Sequence, residues 1–83
     1  MELITRKINT QNSTLNRLIT ELQEECQNVL SLVNQLQLSE LSDRQRGEIL
    51  SELLVSTVHL YSHCDEDLQN LISDELEVLD DNI

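Results

Sequence analysis

Proline is absent from this 83-residue chain, and Gly47 is its single glycine. Tight turns between strands depend on these two residue types for their backbone conformations, so a sheet with several hairpins has no suitable turn residues here. Leu, Glu and Gln, which are good helix formers, are abundant instead. The sequence therefore predicts an all-α protein.

The apolar residues of the chain are almost entirely aliphatic. There is no Trp and no Phe, and Tyr61 is the one aromatic residue. A domain of this length buries only about 60% of the surface that its unfolded chain exposes. A core built from Leu, Ile and Val alone is then thin, and we expect self-association into a homodimer to supplement its stability.

The first half of the chain has apolar residues at helical spacing. At 100° per residue they form a stripe about 120° wide, which predicts helix one over about residues 2–37. Residues 9–14 are polar, which leaves open a later start with an N-cap near Ser13. The members of the stripe are Ile8, Leu15, Leu18, Ile19, Leu22, Cys26, Val29, Leu30, Val33 and Leu36.

The helical period lapses over about residues 38–42 and resumes at residue 43. Ser42 followed by Gln45 reads as a capping box, which predicts helix two over about residues 43–79. The acidic tail, residues 80–83, is expected to fray because the helix dipole disfavours negative charge at a C-terminus. An alternative is a break near residues 63–65, with Asp65 as a new N-cap.

Two helices of similar length joined by a short connection predict a single domain over residues 1–83, a long antiparallel helical hairpin. Facing positions should then have residue numbers that add up to about 80. The apolar positions of helix two cover roughly 180° of its circumference, more than one neighbouring helix can cover. We therefore expect two copies to form a four-helix bundle. The predicted self-association residues are Leu50, Leu53, Leu54, Tyr61, Leu68, Leu71 and Ile72.

The formal charge of −11 is concentrated in the second half of the chain. Residues 48–83 hold ten acidic residues and no Lys or Arg. This field makes direct nucleic-acid binding implausible and favours a non-catalytic regulatory or adaptor protein that binds a basic or amphipathic protein surface. The candidate partner-binding residues are Asp65, Glu66, Asp67, Asp74, Glu75 and Glu77.

Two other functions fit parts of the sequence. The same acidic charge fits an inhibitor that mimics nucleic acid and blocks a nucleic-acid-binding protein. His59 and His63, four residues apart, fit a metal-binding sensor or enzyme. Both histidines are predicted on the face opposite the apolar stripe, where exposed imidazoles are ordinarily just solvated. No resident metal or other cofactor is therefore expected.

Catalysis by this chain is not indicated. Cys26 and Cys64 fall in the apolar stripes, where burial makes a thiol unreactive, and the predicted register keeps them too far apart for a disulfide. No Ser-His-acid arrangement and no glycine-rich phosphate loop occurs in the sequence. With no apolar run long enough to span a bilayer and no export signal, we expect a protein of the cytoplasm with reduced thiols and no membrane partner.

Overall fold

The computed structural model describes residues 7–81 and folds them into three helices. Helix α1 spans Ser13–Leu36, α2 spans Asp43–His63 and α3 spans Glu66–Asp81. Every regular element in this range is helical, which confirms the all-α prediction. The predicted two-helix chain is wrong in the number of helices.

Helix α1 begins later than its apolar period suggested. Asn12 is its N-cap, and the side-chain oxygen of Asn12 accepts a 3.1 Å hydrogen bond from the backbone N–H of Leu15. The backbone N–H of Thr10 donates to Oδ1 of Asn16 at 2.8 Å, which satisfies that amide outside the helix. The predicted start near residue 2 is therefore wrong for residues 7–12, and residues 1–6 lie outside the described range.

The connection between α1 and α2 ends in the predicted capping box. Oγ of Ser42 accepts from the backbone N–H of Gln45 at 3.0 Å, and Oε1 of Gln45 accepts from the backbone N–H of Ser42 at 2.9 Å. This reciprocal pair satisfies two backbone amides at the N-terminus of α2 and sets the start of the helix at Asp43, as predicted. Before it, Glu40 has a φ of 66°, in the left-handed region.

Helix α2 ends at His63, so the predicted continuous helix over residues 43–79 is wrong and the alternative break is confirmed. The carboxylate of Asp65 accepts a 3.1 Å hydrogen bond from the backbone N–H of Leu68 and caps α3. The predicted frayed tail, residues 80–83, is helical at Asp80 and Asp81, and its last two residues lie outside the described range.

Helices α1 and α2 pack antiparallel, and α3 contacts α1 near its start. Nδ2 of Asn28 donates to Oγ of Ser56 at 2.6 Å, and Oε1 of Glu25 lies 3.6 Å from Nδ1 of His59. The residue numbers of both pairs add up to 84, about one helical turn from the predicted 80. The protein is elongated, with extents of 55 × 34 × 18 Å.

The core of the described chain is thin. Its buried apolar side chains are Leu15, Leu32 and Leu68, with 1%, 2% and 3% of their surface exposed. Leu32 was missing from the predicted stripe, whereas Leu30, which belonged to it, is 59% exposed. The packed face of α1 includes Glu25 and is therefore less apolar than the widest apolar arc of the helix.

Candidate interaction surfaces

Helix α2 is apolar on two sides, and α1 covers one of them. The packed side carries four buried or half-buried residues, namely Ile49, Leu53, Ser56 and Leu60. The other side carries four exposed residues, which we call the outer stripe. They are Leu50, Leu54, Val58 and Tyr61, with 48%, 66%, 57% and 84% of their surface exposed.

The spacing of the outer stripe places its members on one face of α2. Successive members are four, four and three residues apart, so they follow the helical period. At 100° per residue this face points well away from the packed side. The exposure agrees with the predicted apolar surplus on this helix.

The predicted self-association residues divide into three groups. Leu50, Leu54, Tyr61 and Ile72 are exposed, and Leu53 and Leu71 are half-buried. Leu68 is buried inside its own chain, where α3 contacts α1, so it was wrongly assigned to a surface. The break at Cys64 and Asp65 turns α3 so that Leu68 enters the core.

Helix α3 combines acidic and apolar side chains on its exposed surface. It contains no Lys or Arg, and Ile72, Leu76 and Leu79 are exposed at spacings of four and three residues. At 100° per residue, the carboxylates of Glu66, Asp67, Asp74 and Glu77 lie about 120° to 160° around the helix from Ile72, beside and behind the apolar stripe. We call the exposed surface of α3 as a whole the acidic–apolar face. The exposed carboxylates at or next to α3 belong to Asp65, Glu66, Asp67, Asp74 and Glu77.

Two of the predicted partner-binding acids have contacts inside the chain. Glu75 is half-buried, and its Oε2 accepts a 3.2 Å hydrogen bond from the backbone N–H of Gln11. Asp65 uses its carboxylate to cap α3. The acids with no such role that remain exposed are Glu66, Asp67, Asp74 and Glu77.

The two histidines lie beside α1, not on the outer face of α2. Oε1 of Glu25 is 3.6 Å from Nδ1 of His59 and 3.8 Å from Nε2 of His63, and the Glu25 side chain is only 14% exposed. His63 is half-buried, so the prediction that both histidines are simply solvated is wrong for it. The sequence signal for Glu25 was its spacing of seven residues from both Leu18 and Leu32.

A groove of about 750 Å³ runs between α1 and α2 around this contact. Its acidic and imidazole lining residues are Glu21, Glu24, Glu25, Glu52, His59 and His63. Within residues 7–81, no three His, Cys, Asp or Glu side chains are placed so that they could hold a metal ion. The groove therefore offers carboxylates and imidazoles without a preformed metal centre in that part of the chain.

The two cysteines are free thiols, and both are exposed. Their predicted burial is wrong. Cys26 is an exposed residue of α1, and Cys64 is the C-cap of α2, at the break before α3. Neither location brings the two thiols into a disulfide.

No helix within residues 7–81 is long and apolar enough to cross a bilayer. Comparisons of the chain with known protein families, curated proteins and solved structures found no match. A functional proposal therefore depends on the exposed surfaces of α2 and α3.

Proposed function

We propose that this chain is a non-catalytic interaction protein, a regulatory or adaptor subunit, whose α3 binds a basic amphipathic helix of another protein. The observation that supports this proposal is the acidic–apolar face. Ile72, Leu76 and Leu79 form an exposed apolar stripe on a helix whose charged side chains are all carboxylates.

A basic amphipathic helix matches both properties of α3. Its apolar side would bury the stripe, and its Lys and Arg side chains would lie in the negative field of the carboxylates around the rest of α3. The strong negative field of residues 48–83 would speed the encounter and make it sensitive to salt. The buried Leu68 and the contact of Glu75 with Gln11, which precedes α1, hold α3 in place by other positions, so this face remains available.

The exposed apolar stripe of α3 favours a basic amphipathic helix as the partner. It argues against the alternative partner, a nucleic-acid-binding protein that this chain would block by mimicking nucleic acid. A protein surface that binds a phosphate backbone is polar and strongly basic, and it has no use for a row of aliphatic side chains. A mimic would bind by charge alone. Salt would then abolish its binding, whereas apolar burial leaves a salt-resistant part.

The test uses a fluorescent synthetic helix with Leu on one face and Lys on the other. The neutralised variant carries Glu66→Gln, Asp67→Asn, Asp74→Asn and Glu77→Gln, which leaves the Asp65 cap and the Glu75 contact intact. The control removes the same number of charges outside α3, through Glu24→Gln, Glu40→Gln, Glu48→Gln and Glu52→Gln.

Fluorescence anisotropy should show that neutralising α3 weakens binding about tenfold or more, a loss of roughly 1.4 kcal/mol. The control variant should lose less than half of that binding free energy. Equal losses in the two variants would mean that only net charge matters, and no loss in either would remove α3 as the binding surface.

We further propose that two copies associate through the outer stripe of α2, so that α1 and α2 of both copies make a four-helix assembly. Three buried leucines are a small core for a chain with this much exposed apolar surface, and a second copy would cover the stripe. Sedimentation equilibrium at micromolar concentration should give a dimer. A monomer under those conditions would contradict this part of the proposal.

A further inference from the structure

We infer that the two copies pair antiparallel along α2, with Leu54 of one copy facing Leu54 of the other at a twofold axis. This inference rests on the proposed self-association and assigns its orientation and register. It follows from the size and the charge of the side chains placed symmetrically about Leu54.

The largest and the smallest residues near the outer stripe lie at equal distances from Leu54. Tyr61 follows it by seven residues and Gly47 precedes it by seven. Tyr61 is 84% exposed, and a Cβ built on Gly47 would meet nothing within 4 Å. Antiparallel pairing brings the ring of one copy to the level of the glycine of the other, where the backbone can be approached closely.

The remaining members of the outer stripe obey the same symmetry. Leu50 precedes Leu54 by four residues and Val58 follows it by four. The stripe of one copy therefore meets the stripe of the other from Leu50 to Val58 in this register, and Tyr61 at its end meets Gly47. A parallel pair would instead place Tyr61 against Tyr61 and Gly47 against Gly47, with crowding at one end and a gap at the other.

Charge also favours the antiparallel arrangement. Arg44 and Arg46 lie in the first turns of α2, and Asp65 and Glu66 come directly after its last turn. Antiparallel pairing places the arginines of one copy beside the acids of the other. Parallel pairing would place the acidic ends of the two copies side by side, which is unfavourable.

The arginines can make these contacts without leaving their own helix. Arg44 pairs with Glu48 at 3.3 Å and Arg46 pairs with Asp43 at 2.9 Å, and the Arg44 side chain remains 89% exposed. Arg46 also donates to the backbone carbonyl of Leu41 at 3.2 Å. Each guanidinium has five N–H donors, so both arginines keep donors free for a further carboxylate.

The first experiment measures association. Leu54→Gln and Val55→Gln make similar changes at adjacent exposed positions, but Val55 lines the groove beside α1 and lies outside the stripe. Sedimentation should show that Leu54→Gln raises the dimer dissociation constant by about 30-fold or more, because the change occurs twice at the axis. Val55→Gln should leave that constant within about threefold, and circular dichroism should show unchanged helix content in both variants.

The second experiment measures orientation. Gly47→Cys and Tyr61→Cys are placed in separate chains that also carry Cys26→Ser and Cys64→Ser, and one chain bears a mass tag. Mild oxidation of the mixture should give mainly the disulfide between the two different variants. Each variant alone should cross-link poorly.

The possible failures can be told apart. A monomeric parent chain overturns the self-association and this inference together. A dimer that cross-links each variant to itself, or that gives no cross-link in the mixture, overturns the antiparallel register and leaves the self-association standing. Neither result affects binding of the basic helix to α3, which has its own readout.

Discussion

The side-chain amide of Asn28 on α1 donates a 2.6 Å hydrogen bond to the hydroxyl of Ser56 on α2. Ser56 is 4% exposed and is the buried polar residue of the described chain. The same amide lies 3.4 Å from the carboxylate of Glu25. The two helices are therefore joined by a specific polar contact, which fixes their register more narrowly than the leucines around it can.

Replacing Ser56 by Ala should lower the free energy of unfolding by about 1 kcal/mol, because the hydrogen bond is lost and Asn28 turns to water. Ser62→Ala is the matched control, since its exposed hydroxyl donates only to the backbone of Val58. Urea titration measures both. A double-mutant cycle with Asn28→Ala should give a coupling of similar size, and equal losses at Ser56 and Ser62 would contradict the contact.

Leu32→Ala should destabilise the chain by about 2 to 5 kcal/mol, whereas Leu30→Ala should cost about 0.5 kcal/mol or less. Leu32 is 2% exposed and Leu30 is 59% exposed on the same helix. Thermal unfolding by circular dichroism distinguishes the two variants. A larger loss at Leu30 would mean that α1 packs with the face predicted from the sequence.

Glu40→Gly should raise the free energy of unfolding by up to about 1 kcal/mol. Glu40 has a φ of 66°, and a residue with a Cβ is strained in that region while glycine is not. Ser39→Gly in the same connection is the control and should be neutral or destabilising, since it only adds freedom to the unfolded chain. Stabilisation by Ser39→Gly as large as that at Glu40 would argue against the strained turn.

Asp65→Ala should lower the free energy of unfolding by about 1 kcal/mol, and Asp65→Asn should restore most of it, because asparagine also caps helices. Asp74→Ala, an exposed acid inside α3, should have a much smaller effect. Hydrogen exchange of the first amides of α3 reports the cap directly. Unchanged exchange in Asp65→Ala would show that the break between α2 and α3 has another cause.

Features that depend on nearby residues were predictable from the sequence. The capping box of Ser42 and Gln45 and the break with Asp65 as N-cap both rest on side chains that reach amides three residues away. The start of α1 was harder to predict. The apolar period continues back to Ile8, but the hydrogen bond between Thr10 and Asn16 holds the residues before Ser13 outside the helix.

Features that depend on the neighbouring helix could not be read from one helix at a time. Choosing the widest apolar arc on α1 selected Cys26 and Leu30, but α2 packs against the arc that contains Glu25 and Leu32. The register of the contacts between α1 and α2 differs from the predicted one by about one turn. The acidic surface of α3 could be predicted from the charge of the sequence. The contact that takes Glu75 out of that surface could be seen only in the folded structure.

The smallest extent of the molecule, 18 Å, is less than twice the roughly 10 to 12 Å diameter of a helix with its side chains. In a molecule this thin almost every side chain is close to solvent. Its backbone amides are therefore protected by their hydrogen bonds within the helices and hardly at all by burial. If the copies pair as inferred, dilution should lower the stability of the folded chain, and the midpoint temperature of thermal unfolding should fall as the protein concentration falls.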